Sequence, residues 1–358
     1  MSFHPGMGVR PRRAPCALQL ILPGLVWPAG GLTASLAALR LPGLAALLGR
    51  ATLRRAAPQP WAQWLAAQCG SAALPFGALR LAGETRPPGI AGREVLCVDP
   101  VGLHFTSDAL LLRAPRELRL DDAESAALIT CLNAEFGAVG EWFAATPQRW
   151  YLLLDGPVKT RFQPLADAQG RPVALFGPEG EGAREWNRLL NAIQITLTDH
   201  PVNRARAERG ELRANAIWPW GAGEPANLRA PATALCSDDP LLAGLAVSTG
   251  MTRLSPAQVC AGRPGTLWWY ASEAFEAVLA GDLNTWLGAL EAFDRTLVQP
   301  AFDAWRAGRV AHLSLLAPSD KVFLRADLGR LARYQPWRRA LAPAALAPHL
   351  QTIQAPAP

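Results

Sequence analysis

The segment LQLILPGLV (18–26) leaves almost no side for water, since only Gln19 interrupts its apolar side chains. A strand of that kind is covered on both faces, and such strands belong to parallel sheets sandwiched between helices. The rest of the chain supplies those helices. Pro42 opens a short one that Gly49 ends, and a second over 60–68 sets Trp61, Trp64 and Leu65 on one face before Gly70. Asp121 and Glu124 form a capping pair for a helix over 122–136. In 183–198, Trp186, Leu189, Leu190, Ile193 and Leu197 recur at the helical period, and Trp286, Leu287, Leu290, Phe293 and Leu297 do the same in 283–299. Further strands are expected at 94–103, 150–154, 266–270 and 310–316. Strands alternating with helices predict an α/β fold with a largely parallel sheet.

The turn-rich ETRPPGIAG (84–92) reads as the connection into a second unit, and 155–183, with several Gly and Pro residues, reads as irregular. This divides the chain into a terminal segment 1–16, a first core part 17–90, a smaller inserted α+β domain 91–182, a second core part 183–340 and a loose tail 341–358. With 50% apolar and 18% charged residues the chain has ample material for a large core, which excludes a disordered protein.

The net charge is +6, but 33 of the 35 basic residues are arginines spread among acids along the chain, so no nucleic-acid surface is expected. The six cysteines form no C-x-x-C pair and have no histidine at zinc-finger spacing, which fits buried thiols in a reducing, cytoplasmic setting. Arg10, Arg12 and Arg13 before the apolar run 17–27 mimic a secretory leader. Pro23-Gly24 breaks that run, and a buried first strand is the reading adopted. No stretch approaches the ~20 apolar residues of a membrane span, so no membrane partner is expected.

The most informative stretch is HPVNRARAERGELRANAIWPWGAG (200–223). Pro201 disfavours helix in the residue before it and should end the preceding helix. His200, Asn203 and Arg206 offer an imidazole, an amide and a guanidinium within seven residues, a set able to hold a carboxylate or phosphate. Asn215, Trp218 and Trp220 lead into Gly221 and Gly223, where a backbone can approach a ligand. These eight residues are the candidate ligand site. The same residues also read structurally, with His200 and Asn203 capping a helix and the tryptophans in the core.

This block resembles one in the archaeal-type cofactor-independent phosphoglycerate mutases, where His-Pro-Val-Asn, an Arg and a Gly precede Asn-x-Ile-Trp-x-Trp-Gly-x-Gly. It is similar in more detail to a bacterial regulatory family of the RpfE type, as are CVDPVGLHFTSDALLL (97–112) and RWYLLL (149–154). LTASLAALRLPGLAALLGR (32–50) and LNTWLGALEAFDRTLVQP (283–300) resemble further mutase segments. The resemblance implies an alkaline-phosphatase-like core with a smaller domain inserted in it. It also implies that catalysis would need two metal ions on Asp and His ligands and a serine nucleophile, because cations must neutralise the charge that phosphoryl transfer develops.

Several matching positions differ. Pro23-Gly24 stands where the family has Asp-Gly, and the stretch 272–280 lacks the family's histidine, offering only Glu273 and Glu276. Ser319-Asp320 replaces Asp-His, His312 lies inside a strand, and Ser71 is the only serine in 70–81. The expectation is therefore a degenerate mutase-like protein with no catalytic residues, no metal site and no cofactor, acting as a regulatory or metabolite-sensing protein. Its ligand would be a small phosphorylated or carboxylated metabolite. The alternatives are an active mutase or phosphatase with a rearranged metal site, and a scaffold that anchors a protein partner through Trp268, Trp269 and Tyr270.

Overall fold

The structure is a computed structural model that describes residues 15–85, 92–106, 109–223, 227–335 and 337–352. The leader-like segment, the connection through 86–91 and the end of the tail lie outside the described residues. The described residues hold twelve strands: β1 (Cys16–Ile21), β2 (Thr52–Ala56), β3 (Glu94–Phe105), β4 (Leu110–Arg113), β5 (Glu141–Thr146), β6 (Arg149–Leu154), β7 (Ala216–Trp220), β8 (Ala234–Cys236), β9 (Thr252–Arg253), β10 (Gly265–Tyr270), β11 (His312–Ala317) and β12 (Phe323–Leu328).

Seven of them form the main sheet in the order β2-β12-β11-β1-β10-β8-β9. Its pairs from β11 through β9 are parallel, and β12 and β2 run antiparallel at one edge. The first strand is thus central and buried on both faces, as its composition requires. Successive side chains point to opposite faces, so Leu18 and Leu20 join Leu267 and Trp269 in one core, while Ile21 joins Trp268 and Tyr270 in the other. The polar exception, the half-buried Gln19, accepts a hydrogen bond from Trp268 Nε1 at 2.7 Å, which satisfies the indole of the buried Trp268. Trp268, Trp269 and Tyr270 are buried in β10, as expected of a buried strand, and the alternative that they are exposed partner anchors does not fit. The alternation of elements is that of an α/β protein with a largely parallel sheet, as expected.

The second unit is built on antiparallel strands. β3 is long enough to pair with β6, β7 and β4 in turn along its length. Because β7 belongs to this sheet, and Ile193, Leu197 and Ala214 belong to its core, the stretch 183–220 packs with the inserted unit. The boundary drawn at 182 therefore falls inside that unit.

Several element ends differ from expectation for local reasons. β1 ends at Ile21, with Pro23-Gly24 in the turn that follows. The helix expected over 283–299 runs Leu283–Phe293, then passes through a π-helical turn, Asp294–Val298, into a further helix Gln299–Arg306. Pro201 ends one helix as expected and also occupies the first turn of the next, Pro201–Glu208, where its missing N–H costs nothing.

Candidate functional site

A cleft of about 1510 Å³ opens between the two units. Its core side is built at the carboxyl ends of β8 and β10, where α/β sheets usually take ligands, and presents Asp239, Tyr270 and Ser272. Its other wall comes from the inserted unit and from the helix Phe76–Ala82.

At the back of the cleft lies a buried polar network. Arg80 grips Asp99 with two parallel bonds of 2.8 and 2.7 Å, and its Nε donates to the Tyr151 hydroxyl oxygen at 3.0 Å. Asp99 also accepts from Trp220 Nε1 at 2.9 Å and from the Trp150 amide at 3.2 Å. The Tyr151 hydroxyl donates a hydrogen bond to Glu84 at 2.7 Å, and Glu84 accepts twice from Arg149. Burial alone would pull Arg80 down, but the Asp99 carboxylate overrides it and holds the guanidinium above its ordinary pKa. Burial pushes Glu84 up, and the bonds from Arg149 and Tyr151 more than reverse this. No buried side-chain nitrogen or oxygen of this network lacks a hydrogen-bond partner, which is the condition under which buried ions are tolerated. Sequence reasoning passed over these residues. The signal was present, since Arg80 interrupts the apolar FGALRLA and Asp99 interrupts VLCVDPVG.

Of the eight candidate residues, Arg206 and Trp220 line the cleft. His200 caps the helix Pro201–Glu208, its Nδ1 accepting from the Val202 amide at 3.2 Å, and burial followed by nearby Arg204 lowers its pKa. Asn203 is fully buried, donating to Leu197 O and Ala214 O at 2.7 and 2.9 Å and accepting from the Ala214 amide at 2.9 Å. Arg206 binds Glu124, the carbonyl of Leu118 and, at 2.8 Å, that of Leu212. Asn215 pairs with both backbone groups of Leu103, at 2.7 and 3.1 Å. Trp218 Nε1 donates to Gln163 O at 2.9 Å. Gly221 O accepts from the Gly77 amide at 2.8 Å, and the Gly223 amide donates to Glu94 at 2.6 Å. The block thus ties helix to strand and strand to the Phe76–Ala82 helix, with its polar groups engaged internally.

Nine carboxylates and six guanidiniums line the cleft, and most are paired. Arg116 meets Glu276 across the two units at 2.5 Å, and Arg209 binds Glu124 and Glu211. The outer part of Arg149 is open, its side chain 33% exposed. Arg119 is exposed and has no hydrogen bond or ion pair among the described residues. It is also the only non-glycine residue there with positive φ, at 53°. Asp239 caps the helix Pro240–Thr249 through the Leu241 and Leu242 amides, and burial raises its pKa despite those bonds.

The sheet, its flanking helices and the inserted antiparallel unit make this an alkaline-phosphatase-like α/β architecture. The same fold is seen in the PH0037 protein from Pyrococcus horikoshii, at a TM-score of 0.51 and 15% identity, over 95% of this chain and 94% of that one. The chain is homologous over part of its length to cofactor-independent phosphoglycerate mutases. It is 32% identical over 151 residues to a probable 2,3-bisphosphoglycerate-independent phosphoglycerate mutase of Geobacter sulfurreducens, covering 42% of this chain and 36% of that one. It is 26% identical over 173 residues to the 2,3-bisphosphoglycerate-independent phosphoglycerate mutase of Methanothrix thermoacetophila, covering 40% and 44%. The matches therefore span less than half the length of these relatives. No family model matches.

The residues at the strand ends do not fit the two ions that the mutase resemblance implies. After β1, Pro23 carries no ligand atom, and the space beside Gly24 is filled by the backbone of Ala274 and Phe275. Gly24 O accepts from the buried Trp286 Nε1 at 2.7 Å. After β11, Asp320 lies 3.5 Å from Lys321, and His312 stands at the opposite, amino end of that strand. The Ser71 hydroxyl donates to Ala73 O at 2.5 Å and is not among the cleft residues. Among the described residues no three His, Cys, Asp or Glu side chains are grouped to hold a metal ion.

Proposed function

We propose that this chain is a mutase-like protein of the RpfE regulatory type that senses a small phosphorylated or carboxylated metabolite and does not transfer phosphoryl groups with metal. The observation that carries this reading is the packing at the tip of β1. There a helix backbone and Trp286 occupy the ground beside Gly24, and the matching position offers proline in place of a ligand.

The ligand's anionic group has two partly free guanidiniums to meet in the cleft, those of Arg119 and Arg149. The excess of carboxylates elsewhere repels a second negative charge, while Asp239, Tyr270 and Ser272 suit hydroxyls. Calorimetric titration of the full chain with glycerate, a hydroxy acid with a single carboxylate, beside 3-phosphoglycerate, which adds a phosphate, tests this. Binding that weakens about tenfold or more in Arg149→Gln supports the reading, since a charged hydrogen bond contributes roughly 1.5–3 kcal/mol. Heat from none of these anions removes the sensing role. Mutase or phosphatase turnover stimulated by Mn²⁺ or Mg²⁺ would establish an active enzyme with a rearranged site instead.

A further inference from the structure

The turn that follows β12 reverses the usual polarity of a surface. Arg330–Tyr334 is a 3₁₀ helix, in which side chains three apart lie above one another. Leu331 and Tyr334 have that spacing, and Trp337 follows three residues later. All three face solvent, at 75, 69 and 71% exposure. The charged residue between them turns the other way. Arg333 reaches inward, donating to Val310 O at 3.1 Å with its guanidinium 5.8 Å from the centre of the Trp305 ring.

The exposure is not that of a loose end. Arg338 donates to Arg50 O at 2.6 Å and the Leu341 amide donates to Ala45 O at 3.0 Å, so the turn is held on both sides. Its charge is one-sided as well. From residue 328 to the end the sequence has four arginines and no acid, and Arg330 and Arg339 are exposed.

We propose that the exposed Leu331, Tyr334 and Trp337, with Arg330 and Arg339 beside them in the sequence, form a peripheral docking surface for an anionic phospholipid bilayer. Tryptophan and tyrosine settle at the headgroup level with their polar tips wet, leucine enters the acyl boundary, and arginines bind the lipid phosphates. A protein partner would suit Trp, Tyr and Arg equally well, but leucine, the most exposed of the three, is under-represented in protein hot spots. No helix among the described residues is long and apolar enough to cross a membrane, so the contact is superficial. This inference is independent of the ligand reading, since none of these residues lines the cleft.

Co-sedimentation of the full chain with vesicles of phosphatidylglycerol and phosphatidylcholine in equal parts, beside pure phosphatidylcholine, provides the test. Binding is expected to the anionic vesicles only, weakening about fivefold for each of Arg330→Gln and Arg339→Gln. The triple variant Leu331→Ser, Tyr334→Ser, Trp337→Ser should lose it while keeping the native melting temperature. No binding to anionic vesicles, or binding indifferent to the triple variant, overturns the proposal. So does a dimer in light scattering that the triple variant dissolves, because the face would then be covered by a second copy.

Discussion

Arg80 and Asp99 show how one charge pair fixes the wall of the cleft. Removing one partner of such a pair leaves the other buried and uncompensated, at a cost of about 3–5 kcal/mol. Asp99→Ala is expected to lower the unfolding free energy by that amount, read as a lower urea midpoint at unchanged m value, whereas Arg113→Ala, on an exposed pair with Glu117, should change the free energy by less than ~1 kcal/mol. Asp239 makes a pH prediction. Burial raises its folded pKa above the ordinary carboxylate value, so its contribution to stability is full at low pH and is lost as pH rises through the folded pKa. Asparagine keeps the helix cap but does not titrate. The melting temperature of Asp239→Asn should therefore gain on the parent between acid and neutral pH, and a difference independent of pH would contradict this. Lone charges in apolar runs, such as Arg80 and Asp99, are legible in a sequence as groups that need partners. Which partner each finds depends on a contact between a helix and the long strand β3, and no local pattern encodes that.

A capping pair made Asp122–Phe136 readable almost to the residue, and an apolar stripe did the same for Ala183–Thr198. The helices Phe76–Ala82 and Pro240–Thr249 were not, because they are apolar nearly all round and carry no amphipathic period. They are buried together, and their contact depends on a missing side chain. A Cβ at Gly244 would overlap the carbonyl oxygen of Leu79, and one at Gly83 would overlap that of Pro240. Gly244→Ala must separate the two helices, at about 1–3 kcal/mol or more for overpacking. Gly288 lies inside the helix Leu283–Phe293 with open space beside it, so Gly288→Ala should stabilise by about 0.5–1 kcal/mol. Thermal melts of the two variants should shift in opposite directions. The candidate block 200–223 was legible as a pattern of polar and aromatic types, but its hydrogen bonds run from nearby Leu197 and Ala214 out to Leu103, Leu118, Glu124 and Gln163, and only the fold reveals that.

At the scale of the whole molecule, the two units share one wall. The helix Phe76–Ala82 turns Phe76 and Leu79 toward the core of the parallel sheet, and Ala78 and Leu81 toward the core of the inserted sheet. Neither core can lose this helix and remain closed, so unfolding of one exposes apolar surface of the other. A single calorimetric transition is expected, with the calorimetric and van't Hoff enthalpies equal. The ion pair Arg116–Glu276, on the far side of the cleft, contributes little to this coupling because both side chains are more than half exposed. Arg116→Ala should therefore leave one transition at nearly the same temperature. Gly244→Ala acts at the shared wall and should broaden the transition or split it in two. Two resolved transitions in the unmodified chain would show that the units unfold independently, and that the helix between them does not couple their cores.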